Sequence, residues 1–299
     1  MNKKTRPASR FARSIFFLLV LTLLLQGCIQ LDRGEPPYSG TNEPALPTGK
    51  GPYLYETMEY QYKTDASAFL SDITTGMSTE YLLLVNKQNP VNNQSDLGSA
   101  DYMLEDAVVL TAYAAKSGMT LEARTARALY AMLAEMAADG VTDVRIQSAY
   151  RTQSYQNTLF NNYLNQEKSG ISADAKAYFG MEYIQAVYLA NGKTSLSAED
   201  ARLVANYYSA FPGQSEHHTG LCVDFSTSTA GLTEAFAGTE AGQWLLANAY
   251  RFGFILRYPE NKTDITGYCY EPWHYRFVGR EAATEITLRG LTLEEFLAG

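Results

Sequence analysis

All three histidines of this 299-residue chain fall in two short segments. His217 and His218 stand in Ser215-Glu216-His217-His218-Thr219-Gly220-Leu221-Cys222-Val223-Asp224, and His274 closes Glu271-Pro272-Trp273-His274. A catalytic zinc draws three protein ligands from His, Asp, Glu and Cys and keeps a fourth position open to water. His217, Asp224 and His274 make such a set. A straight strand would hold His217 and Asp224 about 23 Å apart, and a helix wants its ligands three or four residues apart. The chain must therefore turn between them, and Gly220 is the expected pivot. That puts His217 in a loop and Asp224 on the strand that leaves it. His218, beside the expected ligand, is assigned to the rim of the site.

In the second segment, alternation places His274, Arg276 and Val278 on one face of a strand and Glu271 on the other. Pro272 denies the ladder a donor, so a bulge there is expected to turn Glu271 back toward the metal. A carboxylate in that place, not itself a ligand, can take a proton from a water that the metal has acidified to a pKa of about 7 and pass it to a leaving amine. That is the chemistry of peptide hydrolysis. Cys222 and Cys269 each precede an acidic site residue by two positions. They either bridge neighbouring strands beside the metal or fill space as small buried hydrophobes, and spacing alone does not test the Cα separation of about 4.4–6.8 Å that a disulfide needs.

The elements that must position these residues are read from periodicity. Tyr81 to Asn86 is a short apolar run ended by Asn and Pro90, the pattern of a buried strand. Helices are expected at 102–116 and 121–138, the second with Leu121, Leu129, Met132, Leu133 and Met136 at helical spacing and Gly140 as its stop. Further helices are expected at 153–167, 173–189, 198–210 and 232–250. Strands are expected at 144–148, 221–226, 254–257, 267–270 and 274–278. Helices do not alternate regularly with strands and the closing strands are joined by short turns. The fold class is therefore α+β, with a small, mostly antiparallel sheet carrying the site and helices flanking it.

Residues 1–27 read as an export signal: Lys3, Lys4, Arg6, Arg10 and Arg13 precede an apolar run from Ile15 to Leu25, which is too short for a membrane span of about 20 residues. Leu25-Gln26-Gly27-Cys28 resembles the bacterial lipobox, which implies cleavage before Cys28 and a diacyl anchor on its thiol. Residues 28–52 hold five of the ten prolines and read as a tether. Residues 53–80 are a lead-in, and 81–299 form one catalytic domain. Loss of the leader removes five basic and no acidic residues and leaves 19 Lys and Arg against 32 Asp and Glu, a net charge of −13. Nucleic acid is excluded as a partner on that balance.

The two histidine segments, together with Ser148-Ala149-Tyr150-Arg151-Thr152-Gln153-Ser154-Tyr155-Gln156, resemble the VanY-type zinc D-alanyl-D-alanine carboxypeptidases, a family that includes peptidoglycan L,D-carboxypeptidases. The stretches Gly253 to Pro259 and Asp264 to Tyr268 extend the resemblance, which runs from about Tyr81 to Gly279. It implies zinc as cofactor, with His217, Asp224 and His274 as ligands and Glu271 as general base. It further implies Arg151 beside the scissile carbonyl, where a fixed positive charge meets the developing oxyanion, and Gln156 and Ser215 lining the substrate site. Ala149 and Cys222 depart from the family's usual Gly and Ala. The expected activity is removal of the C-terminal D-alanine of peptidoglycan stem peptides on the outer face of a bacterial membrane. The residues leave open an L,D-carboxypeptidase, an endopeptidase, or a cell-wall binding protein without turnover.

Overall fold

The computed structural model describes residues 61–64, 79–91 and 107–299, all within the compact unit Pro52–Gly299. The expected leader, the tether and Cys28 lie outside the described residues. In chain order, β1 (Val108–Val109) and β2 (Thr120–Leu121) form a small antiparallel ribbon and lead into α1 (Ala123–Ala138). Next come β3 (Arg145–Ser148), α2 (Gln153–Ser169), α3 (Ala173–Phe179), α4 (Met181–Val187) and α5 (Ala198–Tyr208). The site region then holds β4 (Cys222–Ser226), α6 (Glu240–Asn248), β5 (Phe254–Leu256), the short α7 (Thr263–Thr266) and β6 (His274–Phe277). Helices α8 (Arg280–Leu288) and α9 (Leu293–Leu297), for which the periodicity gave no warning, close the chain.

The expected α+β architecture is present. Strands β3, β4, β6 and β5 lie side by side in that order, every pair antiparallel. One face of the sheet belongs to the core that also takes Leu129, Met132, Leu133 and Met136 of α1, Phe236, Leu245 of α6, and Phe252. Helix α1 forms there because its apolar residues recur at helical spacing, and because the Glu122 carboxylate caps its first turn by accepting from the Arg124 and Thr125 amides. Helices α3, α4 and α5 hold a second apolar cluster around Ile184, Tyr188 and Val204. The third cluster lies under α8 and α9, around Ile255, Val278 and Ile286.

Three expected elements are not there, each for a physical reason. Tyr81 to Asn86 is not a strand but a 3-10 turn, Thr79–Leu82, followed by irregular chain. Its Tyr81 and Leu83 carbonyls accept from the buried Arg276 guanidinium at 3.0 and 2.8 Å, so a side chain takes the place of a ladder. The described part of the helix expected at 102–116 is instead β1 and a loop. Tyr113 there has φ 61, a left-handed conformation that no helix carries, and Ala114 bridges Ile146. Residues 267–270 are loop, not strand: Gly267 terminates α7 in the left-handed region, and the Cys269 amide bonds to Tyr207 O on α5. The helix expected at 173–189 breaks at Gly180 into α3 and α4, and that expected at 232–250 becomes the 3-10 turn Glu234–Gly238 followed by α6.

Candidate metal centre and active-site cleft

The sheet register brings the chemistry together. Asp224 on β4 pairs directly with His274 on β6, and their side chains share one face, leaving His274 Nδ1 2.9 Å from Asp224 Oδ1. His217 arrives from the 3-10 turn Glu216–Thr219, which Gly220 closes at φ 70 before the chain enters β4. That turn sets His217 Nε2 3.1 Å from Asp224 Oδ2. All three side chains are buried.

The second nitrogen of His217 is already committed to the protein, whereas that of His274 has no hydrogen-bond partner. His217 Nδ1 lies 2.6 Å from the Ala149 carbonyl, which fixes Nδ1 as the donor and leaves the Nε2 lone pair facing Asp224. Ala149 reaches that position through a bulge in which two residues of β3 oppose one of β4 between Ile146 and Ser148. His274 Nε2 points away from Asp224 toward Glu216 Oε2, at 3.6 Å.

These residues fit a zinc ion. Donors about 2.0–2.1 Å from a tetrahedral zinc stand roughly 3.3 Å from one another, and the Asp224 contacts at 2.9 and 3.1 Å are close to that spacing. His217 Nε2 and Asp224 Oδ1 are buried atoms without a hydrogen-bond partner, as expected of atoms aimed at a cation. Burial alone would raise the Asp224 carboxyl, but the His217 and His274 imidazoles outweigh it and hold the group well below the usual carboxylate range.

Glu271 reaches the centre by a route other than the expected bulge. The His274 amide bonds back to Glu271 O at 3.0 Å, closing a turn through Pro272 and Trp273 just ahead of β6. Glu271 Oε2 then lies 3.7 Å from His274 Nδ1, beside the cluster of ligand atoms. Burial pushes its carboxyl up to about 7, with Asp224 adding to the rise and His274, His217 and Arg151 opposing it.

Arg151 follows β3 in the loop that Thr152 turns into α2, where the Thr152 hydroxyl caps the helix by accepting from the Tyr155 amide. Its Nη1 donates to Gln156 Oε1 at 3.0 Å, its Nη2 reaches Asp224 Oδ2 at 3.4 Å, and its Nε has no partner. Gln156 is fully buried, and its Nε2 donates to Ala210 O at 2.7 Å, so both ends of the amide are taken. It lines the cleft chiefly as the residue that holds Arg151. Ser215 is buried at the start of the histidine turn, makes no side-chain cap there, and lines the same cleft.

His218 does not lie on the rim. It is 3% exposed, its Nδ1 meets Arg151 O at 2.8 Å and its Nε2 accepts from the Gly213 amide at 3.2 Å. Burial lowers its pKa, consistent with a neutral ring that ties the Arg151 loop to the loop at Gly213. Cys222 and Cys269 are both free thiols, the first buried on the face of β4 that carries Asp224 and the second on the cleft wall.

Sequence reasoning missed what stands behind His274. The Glu216 carboxylate is fully buried, and its Oε1 accepts from Arg257 Nε at 2.8 Å and Arg276 Nη1 at 2.7 Å. Arg257 in turn donates to both oxygens of Glu294, at 2.8 and 2.6 Å, so α9 is tied to the metal centre. Burial would raise the Glu216 carboxyl, yet the two guanidinium groups outweigh it and keep the group ionised. Nothing in the residue types distinguishes these partners, which come from positions 41, 60 and 37 residues apart along the chain. The site opens into a cleft of about 590 Å³, walled by Tyr155, Tyr163, Tyr208, Tyr268, Tyr270 and Trp273.

The sequence profile of the VanY family, described as D-alanyl-D-alanine carboxypeptidase, matches residues 118–280, a span that holds Arg151, His217, Asp224, Glu271 and His274. The chain belongs to the VanY family. A D-alanyl-D-alanine carboxypeptidase of Enterococcus faecalis is 36% identical over 255 residues, 85% of this chain and 77% of the relative. A vancomycin-resistance D,D-pentapeptidase from a VanB-type cassette, solved in complex with Zn(II), superposes with a TM-score of 0.52 and 35% identity over 73% of this chain and 99% of that one. The LD-carboxypeptidase LdcB superposes with a TM-score of 0.53 and 32% identity over 73% of this chain and 86% of that one. Members of this family are zinc-dependent hydrolases, and the donor set described above is of the kind such an enzyme needs.

Proposed function

We propose that this chain removes the C-terminal D-alanine from peptidoglycan stem peptides. The observation that carries the reading is the convergence, at the floor of one cleft, of His217, Asp224 and His274 with an unligated, buried Glu271 and a fixed Arg151. His217 Nε2, the Asp224 carboxylate and His274 Nδ1 would hold a zinc ion, which when bound would supply a Lewis acid and lower the pKa of water to about 7. Glu271, its own carboxyl raised by burial, is matched to take the proton of the attacking water at Oε2 and deliver it to the departing amine. Arg151, steadied through Gln156 and Asp224, presents its guanidinium charge to the carbonyl oxygen as it becomes an oxyanion. Ser215 and the tyrosine walls bound the space for the terminal residue and the stem that precedes it. An intact base also speaks against a pure binding protein, which has no use for one.

The likeness to LdcB favours a second reading, cleavage after the third residue of a tetrapeptide stem by L,D-carboxypeptidase action. Incubation of the zinc-loaded protein with defined pentapeptide and tetrapeptide stems, with identification of the released amino acid, decides between them. D-alanine released from the pentapeptide supports the first reading, and release from the tetrapeptide alone supports the second. Zinc bound with no release from either overturns both. We further propose that the chain is exported and held to the outer face of the bacterial membrane by acylation of Cys28, on the strength of the basic leader, its short apolar run and the Leu25-Gln26-Gly27-Cys28 segment. Mass spectrometry of the N-terminal peptide from membranes tests this, and a chain that keeps residues 1–27 or carries a bare Cys28 would refute it.

A further inference from the structure

Cys222 is a second donor beside the metal ligands that the proposed reaction does not use. It shares the Asp224 face of β4, two residues before it, and is wholly buried. One donor atom from each of His217, Cys222 and His274 lies within 4.8 Å of the other two. Both imidazoles are buried, and His217 Nε2 and His274 Nε2, the latter on the Glu216 side of its ring, have no hydrogen-bond partner. The histidines therefore stand between two alternative third donors, the hard Asp224 carboxylate and the soft Cys222 sulfur. Thiolate ligands favour soft, thiophilic ions, whereas a carboxylate favours harder ones. A fourth protein ligand on zinc would close the open coordination position that hydrolysis needs, so the two sets serve different ions.

We propose that Cys222 gives this centre a second ligand set, His217, Cys222 and His274, that takes thiophilic divalent cations, cadmium being the representative. Binding forms a metal–sulfur bond as the Cys222 thiol releases its proton to solvent, with no change of oxidation state. The inference rests on the assignment of His217 and His274 as metal ligands but not on which peptide the enzyme cuts.

The test is titration of the metal-free full chain with cadmium alone, followed by the ultraviolet thiolate-to-cadmium charge-transfer band. One band per bound ion is expected in the wild type, in Cys269→Ala and in Cys28→Ala, and none in Cys222→Ser. Competition against zinc should show the preference for cadmium falling roughly tenfold or more in Cys222→Ser. Circular dichroism checks that the serine variant folds, and Cys222→Ala stands in if it does not. A band that persists without the Cys222 sulfur, or follows Cys269 instead, overturns the inference, as does cadmium bound by the wild type with no band. Zinc uptake measured separately by calorimetry reports on the shared histidines, so zinc bound without a cadmium–sulfur band sinks this inference alone.

Discussion

The substitution Glu216→Gln tests the buried charge network behind the metal centre. It keeps the size of the side chain and one carbonyl oxygen, so Arg257 Nε and Arg276 Nη1 still find an acceptor where they now find Oε1 at 2.8 and 2.7 Å. What it removes is the charge. Of the two guanidinium groups, neither with exposed side-chain surface, Arg257 would then keep Glu294 as its carboxylate partner, and Arg276 would keep the backbone carbonyls of Phe277, Tyr81 and Leu83. Removing one member of a buried ion pair costs about 3–5 kcal/mol, and with the acceptor retained the lower end, about 3 kcal/mol, is expected. For a unit of this size that lowers the melting temperature by about 6–12 °C.

The same substitution reaches the metal. His274 Nε2 now faces Glu216 Oε2 at 3.6 Å, and the variant puts either an amide donor against that ring donor or an uncharged oxygen in place of a carboxylate. Loss of such an orienting partner costs about 10–100-fold in metal affinity. The pH dependence supplies a further check. Arg257 and Arg276 hold the folded-state pKa of Glu216 below its ordinary 4.5 against the opposing effect of burial. The stabilisation is therefore present above 4.5 and lost as pH falls toward the folded-state value. Glutamine imitates the protonated state, so the stability gap between the two proteins should narrow on acidification. Denaturant unfolding of the metal-free proteins at several pH values, with zinc competition at neutral pH, measures all three effects. A gap below about 1 kcal/mol that does not change with pH, and an unaltered zinc affinity, would refute the view that Glu216 is an ionised strut for His274.

Other expectations follow from the same geometry. Glu271→Ala should keep zinc, because the side chain is not a ligand, and lose roughly 10²–10⁴ in kcat; equal turnover removes Glu271 from the mechanism. Arg151→Ala should lower kcat by about 10²–10³, whereas Gln156→Ala, which frees Arg151 Nη1, should cost less and be partly distinguishable by an unchanged zinc affinity. A general base works ionised, and burial raises the Glu271 carboxyl above its ordinary range, so the rate should fall on acidification at a higher pH than a solvated carboxylate would give. A pH–rate profile flat down to 5 at saturating zinc contradicts that assignment. His218→Asn, which retains donor and acceptor groups for Arg151 O and Gly213 N, should disturb activity less than His218→Ala.

Much of the site was legible in the sequence because catalytic zinc sites demand particular residue types. With three histidines in two segments, ligand chemistry admitted His217, Asp224 and His274, the family pattern preferred Asp224 to His218, and the need for a turn at Gly220 followed from the length of an extended chain. Strand β3 and helices α1, α2 and α5 were legible because each has one buried face and so a periodic pattern, and β4, β5 and β6, buried almost throughout, because they are short runs set off by turns. The errors fell where local pattern competes with distant partners. Apolar residues 81–86 read as a strand, yet their carbonyls are satisfied by Arg276, and no local signal announces a guanidinium from 195 residues away.

The sequence by itself nominated a donor set, a base and a class of chemistry, because those depend on which atoms a residue carries and on the resemblance of its motifs to the VanY family. Only the tertiary structure decided which nitrogen of each histidine turns toward Asp224, since the Ala149 carbonyl holds His217 Nδ1 and the register of β4 against β6 sets His274 Nδ1 beside Asp224 Oδ1. It also moved His218 from the rim to an internal tie, made Gln156 the holder of Arg151, and left Cys222 beside the imidazoles instead of bridged to Cys269. These outcomes depend on distances between segments far apart in the chain, which residue types and spacing do not encode.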